Sequence, residues 1–151
     1  MSNNHINYRQ AQLQDLDAIN LVVENAVMNW PLAERVKRLS LNVLTYDATD
    51  FQYFTGYVAV SNDMILGFAL WDANSPAALL HGLYVKPKMQ SKGIGTQLMD
   101  LVIGAAKEHG KSSILVRAER VSCHYFERQG LNKIKDTSDN PYPYLYCKKI
   151  A

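Results

Sequence analysis

The sequence is poor in the residues that would place it in several large protein classes. It holds two cysteines, Cys123 and Cys147. That is too few for a secreted disulfide framework, and their spacing matches no zinc site. A reduced cytoplasmic setting without a metal is the expectation. No apolar run approaches the roughly 20 residues that cross a bilayer. The opening Met1-Ser2-Asn3-Asn4-His5 lacks the apolar centre of a signal peptide, so no membrane partner is expected. A large surplus of charge of one sign is also missing. The net charge is only +2, and the basic residues are scattered, which argues against nucleic acid. There is no repeat, low-complexity tract or Pro/Gly/Ser linker. Residues 1–151 are therefore read as one domain.

What is present is ordinary for a globular chain: 48% hydrophobic and 20% charged residues, enough to bury a core at this length. Ile6 to Arg9 alternates as a short strand. Asp15 is placed to cap a helix whose apolar face is Leu16, Ile19, Val23 and Val27. Trp30-Pro31 breaks it. A second helix carries Leu32, Val36, Leu39 and Val43 on one stripe. Tyr53 to Val60 and Met64 to Trp71 make a hairpin around Ser61-Asn62-Asp63. Ala77 to Val85 is the next strand.

A longer helix then turns Leu98, Leu101, Val102, Ala105 and Ala106 inward. Lys107 and His109 suit its negative end, and Gly110 its stop. Ser112 to Ala118 is a buried strand. A short helix covers about Ser122 to Gln129, ended by Gly130, and a last strand runs from about Pro143 to Ile150. A strand, helix and strand across 77–118 ask for parallel neighbours and a crossover, whereas the hairpins make the sheet mixed. The fold class is α/β, with a mixed sheet.

The most informative stretch is Tyr84-Val85-Lys86-Pro87-Lys88-Met89-Gln90-Ser91-Lys92-Gly93-Ile94-Gly95-Thr96. A strand enters a proline turn, then a loop with two glycines, then a helix. Such a helix presents unpaired N–H groups at the positive end of its dipole, a ready phosphate site. Gly93 and Gly95 keep side chains away from the backbone. Lys86, Lys88 and Lys92 add positive charge. The third glycine of a dinucleotide fingerprint is missing, and so is the Gly-Lys-Ser/Thr of a P-loop.

Gln90, Gly93 and Gly95 do fill Gln/Arg-x-x-Gly-x-Gly/Ala. This stretch resembles the acyl-CoA loop of the GCN5-related N-acetyltransferases (GNAT). Tyr125-Phe126-Glu127-Arg128-Gln129-Gly130-Leu131 is similar to a second family segment, Phe-Tyr-Glu-x-x-Gly-Phe. The element order resembles the family fold over nearly the whole chain, which implies a central mixed sheet of 6–7 strands with helices on both faces.

The resemblance implies acetyl-CoA as co-substrate, lying where Ala77–Val85 and Ser112–Ala118 splay apart. Its pantetheine would pair with backbone near Leu83, Tyr84 and Val85 like an added strand. Its pyrophosphate would meet Gln90, Ser91, Lys92, Gly93, Ile94, Gly95 and Thr96. The acceptor would be a primary amine of a small molecule or peptide attacking the thioester directly, in a ternary complex. Many relatives pair, so a homodimer is possible. The amine must be neutral, although a free alkylamine has a pKa of about 10, and the leaving thiolate needs a proton.

For the base we look to His81, which strand alternation places on one face with Leu83 and Val85. A hydrogen-bonded strand histidine without a catalytic role is the other reading. Glu119 is a weaker choice. The family's usual tyrosine position holds Phe126, which has no proton to give. Tyr125, one residue earlier, is the remaining phenol, or else a packed aromatic. Cys123 and His124 are ionisable neighbours. Trp30, Tyr46, Tyr53, Trp71, Tyr142 and Tyr144 are possible acceptor-side aromatics, most of them expected in the core. The alternative to an enzyme is a non-catalytic acyl-CoA sensor or regulatory module, which Phe126 keeps open.

Overall fold

The computed structural model describes residues 5–90, 92–118, 120–136 and 144–150. Seven strands join one sheet. Their ranges are β1 Asn7–Gln10, β2 Phe54–Ser61, β3 Met64–Asp72, β4 Ala78–Val85, β5 Ser113–Ala118, β6 Asn132–Asp136 and β7 Tyr144–Lys149. The spatial order is β1-β2-β3-β4-β5-β7-β6. Every pairing is antiparallel except β4 with β5. That parallel step needs a crossover, and α3, Ile94–Glu108, supplies it.

Each face of the sheet carries its own apolar cluster. On one, α3 buries Ile94, Leu98, Met99, Val102 and Ala106 against Trp71, Leu80, Ile114 and Val116. On the other, α1, Leu16–Met28, buries Ile19, Val22, Val23 and Val27 against Val58, Phe68 and Leu70. Strand β3 is covered on both sides. Its interior residues are buried in an unbroken run, the pattern of a central strand.

Three local expectations change. Asp15 stands ahead of α1 but does not cap it. Its carboxylate instead takes both Arg9 guanidinium nitrogens, at 2.8 and 2.9 Å, and the Gln12 N–H at 2.8 Å. A bidentate charge-assisted pair outcompetes a single cap bond.

The apolar stripe of the second helix faces outward. Leu32 precedes α2, Glu34–Leu44, and Val36, Leu39 and Val43 on it are 46%, 58% and 59% exposed. α2 packs inward through Leu41 and Leu44 instead. Periodicity gives a helix its stripe but not its direction, and α1 already covers the sheet beneath.

Strand β6 is an addition. Its Asn-Lys-Ile-Lys-Asp sequence reads as loop because it is a charged edge strand. The last strand begins at Tyr144; Pro143 falls outside the described residues.

Candidate functional site

Strands β4 and β5 pair for only three residues each. Ala78, Leu79 and Leu80 match Ile114, Leu115 and Val116, and the ladder ends there. From His81 onward β4 keeps its hydrogen-bonded neighbour on one side only. The narrow opening between the strands is lined by Leu80, His81, Gly82, Leu83, Tyr84, Val116, Arg117, Ser122 and Phe126. It is a sheet edge inside the sheet, where β4 backbone groups stand without a β5 partner.

The same point on β4 carries a bulge. Leu70 of β3 faces Gly82, and its neighbour Trp71 faces Leu80, so His81 is an extra residue in the ladder. A bulge interrupts the two-residue alternation. Leu80, before it, and Leu83 and Val85, after it, all pack with the α3-side cluster. Gly82 and Tyr84 turn to the α1 side, where Gly82 abuts Tyr46 and Phe68. His81 therefore does not share a face with Leu83 and Val85, as strict alternation implied. Its ring lies on the α1 side, stacked on Phe54 at 4.3 Å and edge-on to Tyr46.

His81 Nδ1 lies 2.9 Å from the Tyr46 hydroxyl. Tyr46 is 6% exposed, and its backbone is clamped on both sides by Asn20. The Asn20 Nδ2 donates to Tyr46 O at 2.8 Å, and Tyr46 N–H donates to Asn20 Oδ1 at 2.8 Å. By surface area His81 is exposed, yet the aromatic rings shield much of its imidazole. Desolvation pulls its pKa below the ordinary histidine value, and the carboxylates of Asp50 and Asp72 oppose this. A histidine neutral at physiological pH is suited to accept a proton.

At the far end of β4, Pro87 opens a short 3₁₀ turn that leads to Gly93. Gly93 has φ +82°, a left-handed conformation that favours glycine, and a Cβ there would meet nothing within 4 Å. The loop is open above it. The Gln97 N–H reaches back to Gly93 O at 3.0 Å. The amides ahead of it, at Ile94, Gly95 and Thr96, come before the first full turn. Ile94 is buried among the α3-side residues, so it offers the backbone only. Gln90 Nε2 donates to Val85 O at 3.3 Å, bracing the loop on the strand. Lys92 is exposed beside it. Ser91 lies outside the described residues.

Gly95 has a second reason to be glycine: a Cβ there would lie 3.0 Å from the Tyr125 hydroxyl. Tyr125, on α4 (Cys123–Arg128), thus points its hydroxyl at the first turn of α3. That hydroxyl is buried and has no hydrogen bond of good geometry. Burial raises its pKa, with the nearby Thr96 hydroxyl opposing. Tyr125 is not among the residues lining the opening, whereas Phe126 is. Thr96 Oγ1 accepts from Gln129 Nε2 at 3.2 Å, tying α3 to the end of α4.

Of the acceptor-side aromatics, Tyr46 reaches His81. Tyr53 is 58% exposed and lines a separate recess of about 630 Å³ with Leu13, Phe51 and Phe54. Trp71 is buried on the opposite face, edge-on to His109, so it is core. Trp30 packs on the α1-side cluster and Tyr144 on the α3-side cluster. Tyr142 and Glu119 lie outside the described residues. Sequence reasoning missed Arg117, Ser122 and Phe54. None falls in a motif, and only the fold brings them to His81. Among the described residues, no group of three or more His, Cys, Asp or Glu is placed to hold a metal. No helix among them is long and apolar enough to cross a membrane.

Comparisons with known proteins agree with this geometry. No curated protein matches the sequence. Among solved structures, the PaiA N-acetyltransferase of Thermoplasma acidophilum in complex with coenzyme A superposes with a TM-score of 0.82. The two share 17% identity, covering 96% of this chain and 99% of that one. A GNAT family acetyltransferase from Brucella melitensis in complex with acetyl-CoA gives 0.70 at 18% identity, over 99% and 90%. The ribosomal-protein-S18-alanine N-acetyltransferase of Escherichia coli gives 0.68 at 17%, over 97% and 95%. These likenesses show the fold. The Acetyltransferase (GNAT) family model matches residues 23–131, and this chain accordingly belongs to the GNAT family of acyl-CoA-dependent acetyltransferases.

Proposed function

We propose that the chain transfers the acetyl group of acetyl-CoA to a primary amine of a small molecule or peptide, by direct attack within a ternary complex. One observation carries this reading: β4 parts from β5 at Leu80, immediately before a bulge that turns His81 to the α1 side, which we take as the side the acceptor enters. The thioester and the base then sit at one place.

Coenzyme A fits the residues present. The β4 backbone at Leu83, Tyr84 and Val85 has no β5 partner and takes the amides of the pantetheine arm. The open left-handed turn at Gly93 and the amides of Ile94, Gly95 and Thr96 take the pyrophosphate, with Gln90 and Lys92 beside it. A β4 N–H polarises the thioester carbonyl.

The acceptor enters as an ammonium, held in the field of Asp50 and Asp72, and His81 removes its proton. The amine nitrogen attacks the carbonyl carbon, a C–N bond forms, the C–S bond breaks, and the electron pair leaves on sulfur. Phe126 lines the opening and has no proton to give. The Tyr125 hydroxyl is turned toward Gly95. Water reaching the opening carries the second proton of the attacking nitrogen to the thiolate, which completes the amide and the thiol; Tyr125 is a packing residue. Holding the reactants in line supplies much of the rate.

The test is a thiol-release assay on a panel of small amines and peptides, run beside calorimetry with acetyl-CoA. Acetyl-CoA binding with CoA release from at least one primary amine is expected. Tight binding with no release from any acceptor would overturn the reading in favour of a non-catalytic acyl-CoA module.

A further inference from the structure

We propose that Tyr46 is a positioning residue that holds the hydrogen of neutral His81 on Nδ1, leaving Nε2 bare to take the proton of the acceptor amine. The inference rests on the reading of His81 as the base.

Neutral imidazole carries one hydrogen, on either ring nitrogen, and what each nitrogen faces decides which. Nδ1 faces the Tyr46 hydroxyl oxygen at 2.9 Å, so the base must work through Nε2. Nε2 can accept a proton only if it does not already carry one. The resting hydrogen then sits on Nδ1 and is donated to the Tyr46 oxygen. Once Nε2 is protonated, both nitrogens carry hydrogen, and the phenol still accepts from Nδ1. The same contact thus serves both states and needs no rearrangement as the proton arrives.

Three features show that this contact is built rather than incidental. Asn20 pins the Tyr46 backbone from both sides. Gly82, next to His81, leaves room for the hydroxyl where any Cβ would collide with it. Phe54 stacks on the imidazole and fixes its plane. The charged groups acting on this ring are Asp50 from the turn before β2 and Asp72 from β3; Arg117 of β5 lines the opening that His81 also lines. The carboxylates favour the protonated ring and so help it form during turnover.

The test uses the full chain labelled with ¹⁵N at histidine. Long-range ¹H–¹⁵N spectra report which ring nitrogen is protonated. The His81 signals are identified by their loss in His81→Gln, and spectra are taken at alkaline pH where the ring is neutral. In the wild type, Nδ1 protonated and Nε2 bare is the expected result. In Tyr46→Phe, the hydrogen moves to Nε2 and kcat falls about tenfold, part of the ~10²–10⁴-fold a general base supplies. The KM for acetyl-CoA stays unchanged, and the acidic limb of the pH profile moves.

A wild-type His81 protonated on Nε2 would overturn the proposal without any variant. So would a Tyr46→Phe protein whose tautomer and pH profile match the wild type. If no amine is acetylated, the base reading fails, and the tautomer of the wild-type ring still decides the role of Tyr46.

Discussion

Gly82 and the Tyr46 hydroxyl compete for one space: a Cβ on residue 82 would overlap the phenol oxygen that faces His81. The backbone beside the proposed base is therefore glycine because of a side chain 36 residues earlier in the chain, folded against it. Gly82→Ala should push Tyr46 away, costing about 1–3 kcal/mol of stability by overpacking. Turnover should fall at least as far as in Tyr46→Phe. Urea unfolding and steady-state kinetics measure the two. A fully active Gly82→Ala protein would show that the Tyr46–His81 contact is dispensable.

At the phosphate loop, Gly93→Ala meets open space but must hold φ +82°. A loss of about 1–2 kcal/mol is expected, with acetyl-CoA affinity changed little. Gly93→Asp adds a carboxylate at the position proposed for the pyrophosphate and should weaken binding at least tenfold by calorimetry. Equal affinities for the two variants would remove the pyrophosphate from this turn.

Gly95→Ala places a Cβ 3.0 Å from the Tyr125 hydroxyl. The double variant with Tyr125→Phe should recover most of the lost stability, since the clashing atom is gone. Tyr125→Phe alone removes a buried hydroxyl without a good partner, so it should be neutral or slightly stabilising. Its kcat should stay within about threefold of wild type. A hundredfold fall in kcat would make Tyr125 the proton donor after all.

The pH dependence of turnover follows from the direction of the His81 shift. Burial lowers its pKa, so the ring stays neutral to below the ordinary value of about 6.5. kcat/KM should hold on the acid side until the pH passes that lowered value, and then fall as His81 charges. In stability terms, the unfolded ring binds its proton first as pH drops. Folding therefore loses free energy starting near pH ~6.5. An acidic limb lying above pH ~6.5 would contradict the assignment.

Asp15 is titrated lower still. It is nearly buried, and its hydrogen bonds with Arg9 hold its pKa below the usual carboxylate value. Its contribution is present above the unfolded pKa of about 3.9 and disappears as pH falls through the folded value. Asp15→Asn should destabilise the chain at neutral pH, by about 1–3 kcal/mol. Below the folded pKa of Asp15 the difference from wild type should shrink. Thermal melts at several pH values would show it.

Much of this could be read from the residues because it is local. Gly93, with φ +82°, opens α3 and Gly110, with φ +76°, ends it, both where the sequence places the helix limits. The direction of His81 was not legible. Alternation predicts one face, and a single extra residue in β4 gives the other; the one mark of the bulge in Leu-Leu-His-Gly-Leu is Gly82, which does not say which residue is the extra one. The outward stripe of α2 failed for a related reason, since Val36, Leu39 and Val43 are periodic whichever way the helix is rolled. Tyr46 stood among six aromatics with nothing local to distinguish it. Its partner lies 35 residues away.

The early parting of β4 from β5 has a consequence for how the protein keeps to itself. An exposed strand margin invites another chain to dock along it. Here the bare margin begins in mid-sheet, is only a few residues long, and is flanked by Phe126 and Arg117. A neighbouring chain would find too few unpaired positions there for a lasting ladder, so the parting leaves the protein little tendency to stick to its own copies.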